Sequence, residues 1–239
     1  MRSDPVGLWS SPLVVAILGD SLHPGGTTLT KEMARRAALR PGASILDVGS
    51  GRGASAGALA QQGFQVHGVD VSEANVNAAR AAAPGCTFQV VDPSLDGIAG
   101  PFDAILSECT LCLSGDAAST LRRFHDLLRP GGRLLLSDVV VEDEAADFRS
   151  AYAFAACLGG ALPRETLEHV VEEAGFEIQW RKNCHEAMAA VRDDVYGRVD
   201  VPGILHAAGA GSTLRRLVQV ANHQFDLGNV GYHALVARR

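Results

Sequence analysis

Between residues 43 and 141 the sequence alternates short apolar runs with stretches of helical periodicity, and this alternation restricts the fold more than any other feature. Apolar runs separated by amphipathic helices predict βαβ units, in which parallel strands pair side by side. Such a sheet is covered by helices on both faces. The predicted strands cover residues 43–48, 64–69, 87–91, 102–107 and 133–141, and the predicted helices cover 54–62, 73–82 and 117–128.

The last third of the chain has a different pattern. Residues 175–180 and 231–239 are predicted strands, and the sequence from 186 to about 224 is mostly helical in character. The chain has 239 residues and 47% hydrophobic content, which is enough for one core, so we expect a single domain over residues 1–239. Within it, about 1–40 is predicted to be an N-terminal lid segment, and about 186–227 a helical cap inserted before the last strand.

Charge and cysteine content narrow the partners and the compartment. The net charge of -6, without a Lys/Arg cluster, argues against a nucleic-acid partner, because phosphate binding needs clustered cations. The apolar stretch 11–18 is too short to span a membrane, so we expect no membrane partner. The five cysteines are an odd number, which fits reduced thiols and a cytoplasmic location. The sequence leaves the oligomeric state open.

A glycine-rich segment, DVGSGRG at residues 47–53, follows the first predicted strand and opens a helix. Ligands of open α/β sheets bind at this edge. Asp47 is badly placed for a pyrophosphate, because two anions would repel each other, and well placed for an ammonium group. Asp70 ends the next strand and can accept from ribose hydroxyls, while Asp92 ends the third and can accept from the adenine amine. These three acids predict a ligand with an amine, a ribose and a base but no phosphate, such as S-adenosylmethionine.

Each of these signals has an alternative interpretation when taken alone. A single glycine loop is also typical of dinucleotide-binding enzymes or of a plain tight turn. Asp70 can be a helix-cap or turn residue, and Asp92 precedes Pro93 in an Asp-Pro pair that often starts a turn.

The ordered set of motifs resembles the Rossmann-like (class I) S-adenosylmethionine-dependent methyltransferases. DVGSGRG at 47–53, the acids Asp70 and Asp92, FDAILSE at 102–108 and LRPGGRL at 128–134 match that family's motifs in order. The resemblance implies a doubly wound, mostly parallel α/β sheet of seven strands whose last strand is antiparallel, with S-adenosylhomocysteine as the product. It implies these cofactor-binding residues: Asp47, Gly49, Ser50, Gly51, Gly53, Asp70, Val71, Asp92, Pro93 and Ser107.

A narrower resemblance concerns the part of the site that would bind the methyl acceptor, called here the acceptor side. SECTLCLSGD at 107–116 and ACLGGAL at 156–162 are similar to the arsenite methyltransferase group, in which the cysteine matching Cys157 binds trivalent arsenic. We therefore take Cys157, Cys109 and Glu108 as candidate acceptor-side residues. The chain departs from that group at two positions. Ala54 stands where the group has a cysteine just after the glycine loop. Cys184 follows ACLGGAL at a spacing that is too short to match the group's last cysteine. The pair Cys109 and Cys112 lacks two further nearby ligands, so no metal site is predicted.

The functional alternatives follow from these residues. We expect a methyltransferase with a small-molecule substrate, for which a soft centre such as trivalent arsenic is one candidate acceptor. An organic acceptor methylated at O, N or C is the alternative, and a non-catalytic cofactor-binding module ranks below both. His23, in the predicted lid, and His206 and His223, in the predicted cap, are candidates for substrate contact or proton transfer.

Overall fold

The computed structural model describes residues 23–142, 157, 159–198, 200, 203, 223, 225–226 and 228–239. The predicted lid segment is therefore described only from His23 onward, and the predicted cap only in part. His206 lies outside the described residues. The sequence pattern of residues 143–158 also predicts a helix, and most of that stretch lies outside the described residues too.

The elements follow the predicted alternation closely. The helices are α1 (Gly26–Arg36), α2 (Ala54–Ala60), α3 (Glu73–Ala82), α4 (Ala117–Leu127), α5 (Arg164–Glu173) and α6 (His185–Arg198), and a 3-10 turn covers Leu111–Leu113. The strands are β1 (Ser44–Val48), β2 (Gln65–Asp70), β3 (Thr87–Val90), β4 (Phe102–Glu108), β5 (Leu128–Val141), β6 (Leu162–Pro163), β7 (Glu177–Asn183) and β8 (Val230–Arg238).

The strands form one sheet in the order β3-β2-β1-β4-β5-β8-β7, and the two-residue β6 pairs with β5 off this path. Strands β1 to β5 pair in parallel, whereas β8 runs antiparallel to both β5 and β7. The predicted fold class is confirmed: seven main strands make a mostly parallel sheet, and the last strand in the chain is antiparallel.

The core lies on both faces of the sheet because successive strand residues point to opposite sides. Ile45 and Leu46 are adjacent on β1, are both fully buried, and belong to different apolar clusters. One cluster includes Met33 of α1, and the other includes Phe124 of α4. Strand β8 is buried along its whole length except for its last residue, as expected for a central strand.

Strand β5 begins earlier than the sequence predicts. It starts at Leu128 rather than Arg133, because Leu128 pairs with Phe102 before the register shifts to Ala104 opposite Arg133. The four residues between these partners contain the Pro-Gly-Gly turn of the LRPGGRL motif.

The register places the site at the carboxyl ends of β1, β2 and β4. Asp47 of β1 lies beside Gly68 of β2 and Leu106 of β4, so Asp70 and Glu108 each extend two residues beyond that level. No helix in the described part of the chain is both long enough and apolar enough to cross a membrane.

Candidate active site

A single cavity at these strand ends contains most of the predicted site residues. Its wall includes Asp47, Gly49, Ser50, Gly51, Asp70, Val71, Asp92, Pro93, Glu108, Cys109 and Cys157. Its lining also contains His23 and Ser55, which come from the start of the described chain and from α2. Two predicted residues, Gly53 and Ser107, are absent from the cavity wall formed by the described residues. The sheet therefore brings the predicted cofactor side and the predicted acceptor side into one space.

The three glycines after β1 are required for different structural reasons. Gly49 has a φ of 73°, and a Cβ there would overlap the side chain of Thr110. Gly51 has a φ of 51° and faces open space, so a ligand can approach its backbone. Gly53 has a φ of 84°, and a Cβ there would meet Ala79 at 3.0 Å, which makes it a packing residue between α2 and α3.

Asp47 is a buried carboxyl group with an unsatisfied oxygen. It is 3% exposed, and its Oδ2 has no hydrogen-bond partner among the described residues. Burial raises its pKa well above the usual value, and the nearby charges of Glu108 and Asp70 raise it further. A bound cation would reverse this effect, because an opposite charge favours the ionised carboxylate. The site is therefore suited to the ammonium group of an amino acid.

Asp70 is held in place by the backbone around it. The amide of Gly51 donates to its Oδ2 at 2.9 Å, and the amide of Ser72 donates to its Oδ1 at 2.8 Å. Burial raises its pKa, although these two hydrogen bonds and one from Asn75 oppose the shift. The next residue, Val71, is 38% exposed, which is unusual among the large apolar side chains of the described residues. An anchored acid beside an exposed apolar surface fits a ribose next to a flat base.

The third predicted acid differs from the first two. Asp92 is exposed, and its Oδ1 accepts from the amide of Ser94 at 3.0 Å, so it forms the turn that the Asp-Pro pair suggested. It still lines the cavity together with Pro93. Ser107, in contrast, is fully buried within β4, opposite Val48 of β1.

Glu108, at the end of β4, is the centre of a buried hydrogen-bond network. Ser55 donates to its Oε2 at 2.6 Å, and Thr30 of α1 donates to its Oε1 at 2.9 Å. The Nε2 of His23 lies 3.2 Å from Oε2 of Glu108 and 3.2 Å from Oγ of Ser55. Both His23 and Glu108 are 9% exposed, so this network is largely shielded from bulk water.

Three thiols converge beside this network. The thiol of Cys157 contacts the carbonyl of Cys109 at 4.0 Å, and the thiols of Cys109 and Cys112 lie close enough to influence its pKa. Cys109 also contacts the hydroxyl of Tyr232 at 3.5 Å. The hydrogen bond with Cys157, together with burial, raises the pKa of Cys109 well above its usual value. For Cys157, the hydrogen bond from Cys109 favours the thiolate, but the bond to Cys112 and burial outweigh it and raise its pKa.

Cys184 lies apart from this cluster. Its thiol contacts the carbonyl of Lys182, and burial raises its pKa to about 11. Cys86, Cys112 and Cys184 do not line the cavity as the described residues form it. The described residues contain no group of three His, Cys, Asp or Glu side chains arranged to hold a metal ion.

The sequence did not single out two members of this site, Ser55 and Thr30, which hold Glu108. Ser55 stands out locally only as a polar residue in the alanine-rich helix ASAGALA. Both contacts with Glu108 join positions far apart in the chain, 53 residues for Ser55 and 78 for Thr30.

Comparison with known proteins identifies the family. A family described as a methyltransferase domain matches residues 25–179, which is more than half of the chain. The chain therefore belongs to the methyltransferase-domain family. Its fold and family together define it as a class I, S-adenosylmethionine-dependent methyltransferase.

Individual relatives differ in the acceptor that their names specify. An arsenite methyltransferase of Aquipseudomonas alcaligenes is 35% identical over 157 residues, which are 58% of this chain and 45% of that protein. The match thus spans about half the length of that relative. An O-methyltransferase of Pyrenophora dematioidea is 26% identical over 98% of this chain and 88% of its own length.

A solved structure shows the same fold. Phosphoethanolamine N-methyltransferase 2 of Haemonchus contortus, in complex with S-adenosyl-L-methionine, superposes with a TM-score of 0.76 at 20% identity, covering 100% of this chain and 58% of that one. These three relatives are named for arsenic, oxygen and nitrogen acceptors, so their names do not select one acceptor for this chain.

Proposed function

We propose that this protein transfers a methyl group from S-adenosylmethionine to a small organic molecule bound between Glu108, Cys109 and Cys157. The observation that carries the proposal is the continuity of the cavity. The same space reaches from Asp70 and Val71, through the unsatisfied oxygen of Asp47, to Glu108 and Cys157. A cofactor at one end and an acceptor at the other would lie in contact.

The residues at the first end are suited to S-adenosylmethionine in the following way. Asp47 would accept from its ammonium group, Asp70 from its ribose hydroxyls, and Val71 would lie against the base. The open space at Gly51 lets the backbone approach the ligand closely. Asp92, Pro93 and Ser50 would complete this end of the site. When bound, the cofactor supplies an electrophilic methyl group on a sulfonium sulfur.

The chain's own contribution to the reaction is orientation and exclusion of water. Holding the acceptor atom in line with the methyl carbon replaces a bimolecular encounter with a fixed geometry. Leu113 and Cys157 close the acceptor side with apolar surface, and His23 forms part of the wall beside them. We propose that residues 1–40 act as a lid and 186–227 as a cap over this cavity. In support, His23 of the lid segment already lies in the wall.

Arsenic is the second candidate acceptor, and the convergence of thiols favours it. Soft thiol ligands suit trivalent arsenic, and Cys109 and Cys157 both line the cavity. One observation ranks it below an organic acceptor. The pKa values of Cys109 and Cys157 are raised, which disfavours the thiolate form that binds arsenic.

Calorimetry with S-adenosylhomocysteine and with NAD tests the cofactor. We expect the first to bind and the second not to bind, and the reverse result would reject the proposed function.

Incubation of the reduced protein with S-adenosylmethionine and either arsenite or methylarsenite then tests the acceptor. Formation of carbon–arsenic bonds that is lost in Cys157→Ser, but kept in the matched control Cys184→Ser, would select arsenic instead of an organic acceptor.

A further inference from the structure

The cavity contains a histidine whose two ring nitrogens have different surroundings. The Nε2 of His23 lies 3.2 Å from Glu108 and 3.2 Å from Ser55, whereas its Nδ1 is buried without a hydrogen-bond partner among the described residues. We propose that Nδ1 of His23 is the proton acceptor of the reaction, oriented by Glu108, and that the substrate is methylated at an atom bearing a proton, as in a hydroxyl or an amine. This inference rests on the proposed function.

The hydrogen-bond network fixes which nitrogen carries the proton. The single hydroxyl hydrogen of Ser55 points to Glu108 across 2.6 Å, so Ser55 can only accept from His23. An ionised carboxylate is also only an acceptor. Both neighbours of Nε2 therefore require a donor, and Nε2 must carry the hydrogen. In the neutral ring Nδ1 is then left with a lone pair.

Glu108 is positioned firmly enough to orient this ring. Its carboxylate accepts from Ser55 of α2 and from Thr30 of α1, and the hydroxyls of these two residues lie 3.2 Å apart. Two separate helices thus converge on one carboxyl group at the end of β4. An acid that holds the far nitrogen of a histidine selects its tautomer and stabilises the ring once it becomes protonated.

The proposed step balances as follows. The acceptor oxygen or nitrogen forms a bond to the methyl carbon, and the carbon–sulfur bond breaks with its electron pair remaining on sulfur. The proton of the acceptor passes to Nδ1 of His23, which becomes an imidazolium paired with Glu108. A soft acceptor with a free lone pair and no proton, such as methylarsenite bound through its arsenic, would not need this base.

The first experiment reads the tautomer without any acceptor. Nitrogen-15 NMR of histidine-labelled protein, in complex with S-adenosylhomocysteine and assigned with His23→Asn, reports which ring nitrogen of His23 bears hydrogen. We expect hydrogen on Nε2 in the native protein and a mixture of tautomers in Glu108→Gln. Hydrogen on Nδ1 of the native neutral ring would overturn the proposal. The matched control Glu173→Gln, on the exposed side of α5, should leave the spectrum unchanged.

The second experiment separates a base from a structural residue. Methyl transfer from S-adenosylmethionine is measured with a panel of alcohols, phenols and amines that includes phenol and 4-nitrophenol. We expect His23→Asn to lower kcat about 10²–10⁴-fold for weakly acidic acceptors, and much less for 4-nitrophenol, which ionises readily by itself. The control His169→Asn replaces an exposed histidine and should retain native rates.

An equal loss with all acceptors, no loss with any of them, or methylation of none of the panel would overturn the assignment of His23 and of the substrate class. Failure of this inference is distinguishable from failure of the proposed function. Tight binding of S-adenosylhomocysteine by both the native protein and His23→Asn supports the proposed function even if His23 proves dispensable. If the native protein does not bind S-adenosylhomocysteine, the proposed function itself is rejected.

Discussion

The hydroxyl oxygen of Ser55 lies 2.6 Å from Oε2 of Glu108, although 53 positions separate these residues in the chain. Ser55 belongs to the first turn of α2, directly after the glycine loop, and Glu108 ends β4. The contact therefore joins the loop expected to hold the cofactor to the carboxylate expected to orient His23. A change at Ser55 should alter catalysis without removing any residue proposed to contact the cofactor.

Ser55→Ala removes one of the donors to Glu108. We expect the free energy of unfolding to fall by about 1.5–3 kcal/mol, because a hydrogen bond to a charged group is lost inside the protein. Turnover should fall by about tenfold while the Kd for S-adenosylhomocysteine stays within twofold of native, if each hydrogen bond contributes as such bonds usually do. Urea denaturation and calorimetry measure both, with the exposed Ser119→Ala as control. A large loss of cofactor affinity would contradict the assignment of Ser55 to the acceptor side.

Asp47→Asn tests the buried carboxyl group through its pH dependence. The folded protein holds a proton on Asp47 to a higher pH than the unfolded chain does, because its pKa is raised well above 3.8. As the pH rises from the ordinary pKa of a carboxyl group towards the raised pKa of Asp47 in the folded protein, only the unfolded chain loses this proton. The free energy of unfolding therefore decreases over this range. Asparagine has no such proton to lose.

We therefore expect Asp47→Asn to stabilise the ligand-free protein on the order of 1 kcal/mol or more at neutral pH, since one pKa unit corresponds to about 1.4 kcal/mol. The difference from native should shrink as the pH is lowered towards the usual carboxyl range. The same variant should bind S-adenosylhomocysteine more weakly, because its ammonium group loses a charged partner. Parallel denaturation series over pH, with the exposed Asp126→Asn for comparison, measure this effect. A variant less stable than native at neutral pH would refute it.

Asp70→Asn tests the proposed ribose site. The aspartate accepts from the amides of Gly51 and Ser72, and an asparagine nitrogen cannot replace either acceptor. We expect a loss of affinity for S-adenosylhomocysteine of about 10–100-fold, as follows from losing one or two hydrogen bonds to a charged group. Calorimetric titration gives the Kd directly. Unchanged affinity would show that Asp70 supports the loop without contacting the ligand.

Gly49→Ala separates backbone strain from steric overlap. Gly49 and Gly63 both have a positive φ, of 73° and 87°, but only Gly49 faces a neighbour, the side chain of Thr110. Gly63→Ala should cost about 1–2 kcal/mol of unfolding free energy, from the left-handed conformation alone. Gly49→Ala should cost about 1–3 kcal/mol more, because the added methyl group has no room. Equal losses in urea denaturation would show that the loop moves away from Thr110 at little cost.

The sequence was sufficient for the parts of the site that lie within one strand and its following turn. Asp47, Asp70 and Glu108 each lie within one residue of the end of a predicted strand, and parallel strands bring their carboxyl ends to one edge. The glycine loop could also be predicted from the sequence, because a left-handed backbone at Gly49 favours glycine. In the late helical region the described residues form α6, and the rest of the predicted cap stays a prediction.

Contacts between side chains from different elements could not be predicted. Nothing local indicates that Thr30 of α1 reaches Glu108 across 78 positions, or that Cys112 rather than Cys184 joins Cys157. The packing of Gly53 against Ala79 could not be predicted either, because it depends on how α2 and α3 meet.

The sequence by itself determined the order of strands and helices, the class of sheet and the position of the acids at its edge. These features depend on local periodicity and on turn chemistry, which are written in short segments. The tertiary structure alone decided that His23, Thr30, Ser55 and Glu108 share one hydrogen-bond network, and that Cys109 and Cys157 face the same cavity. Such convergence follows from the sheet order, which places residues distant in the chain within a few ångströms of one another.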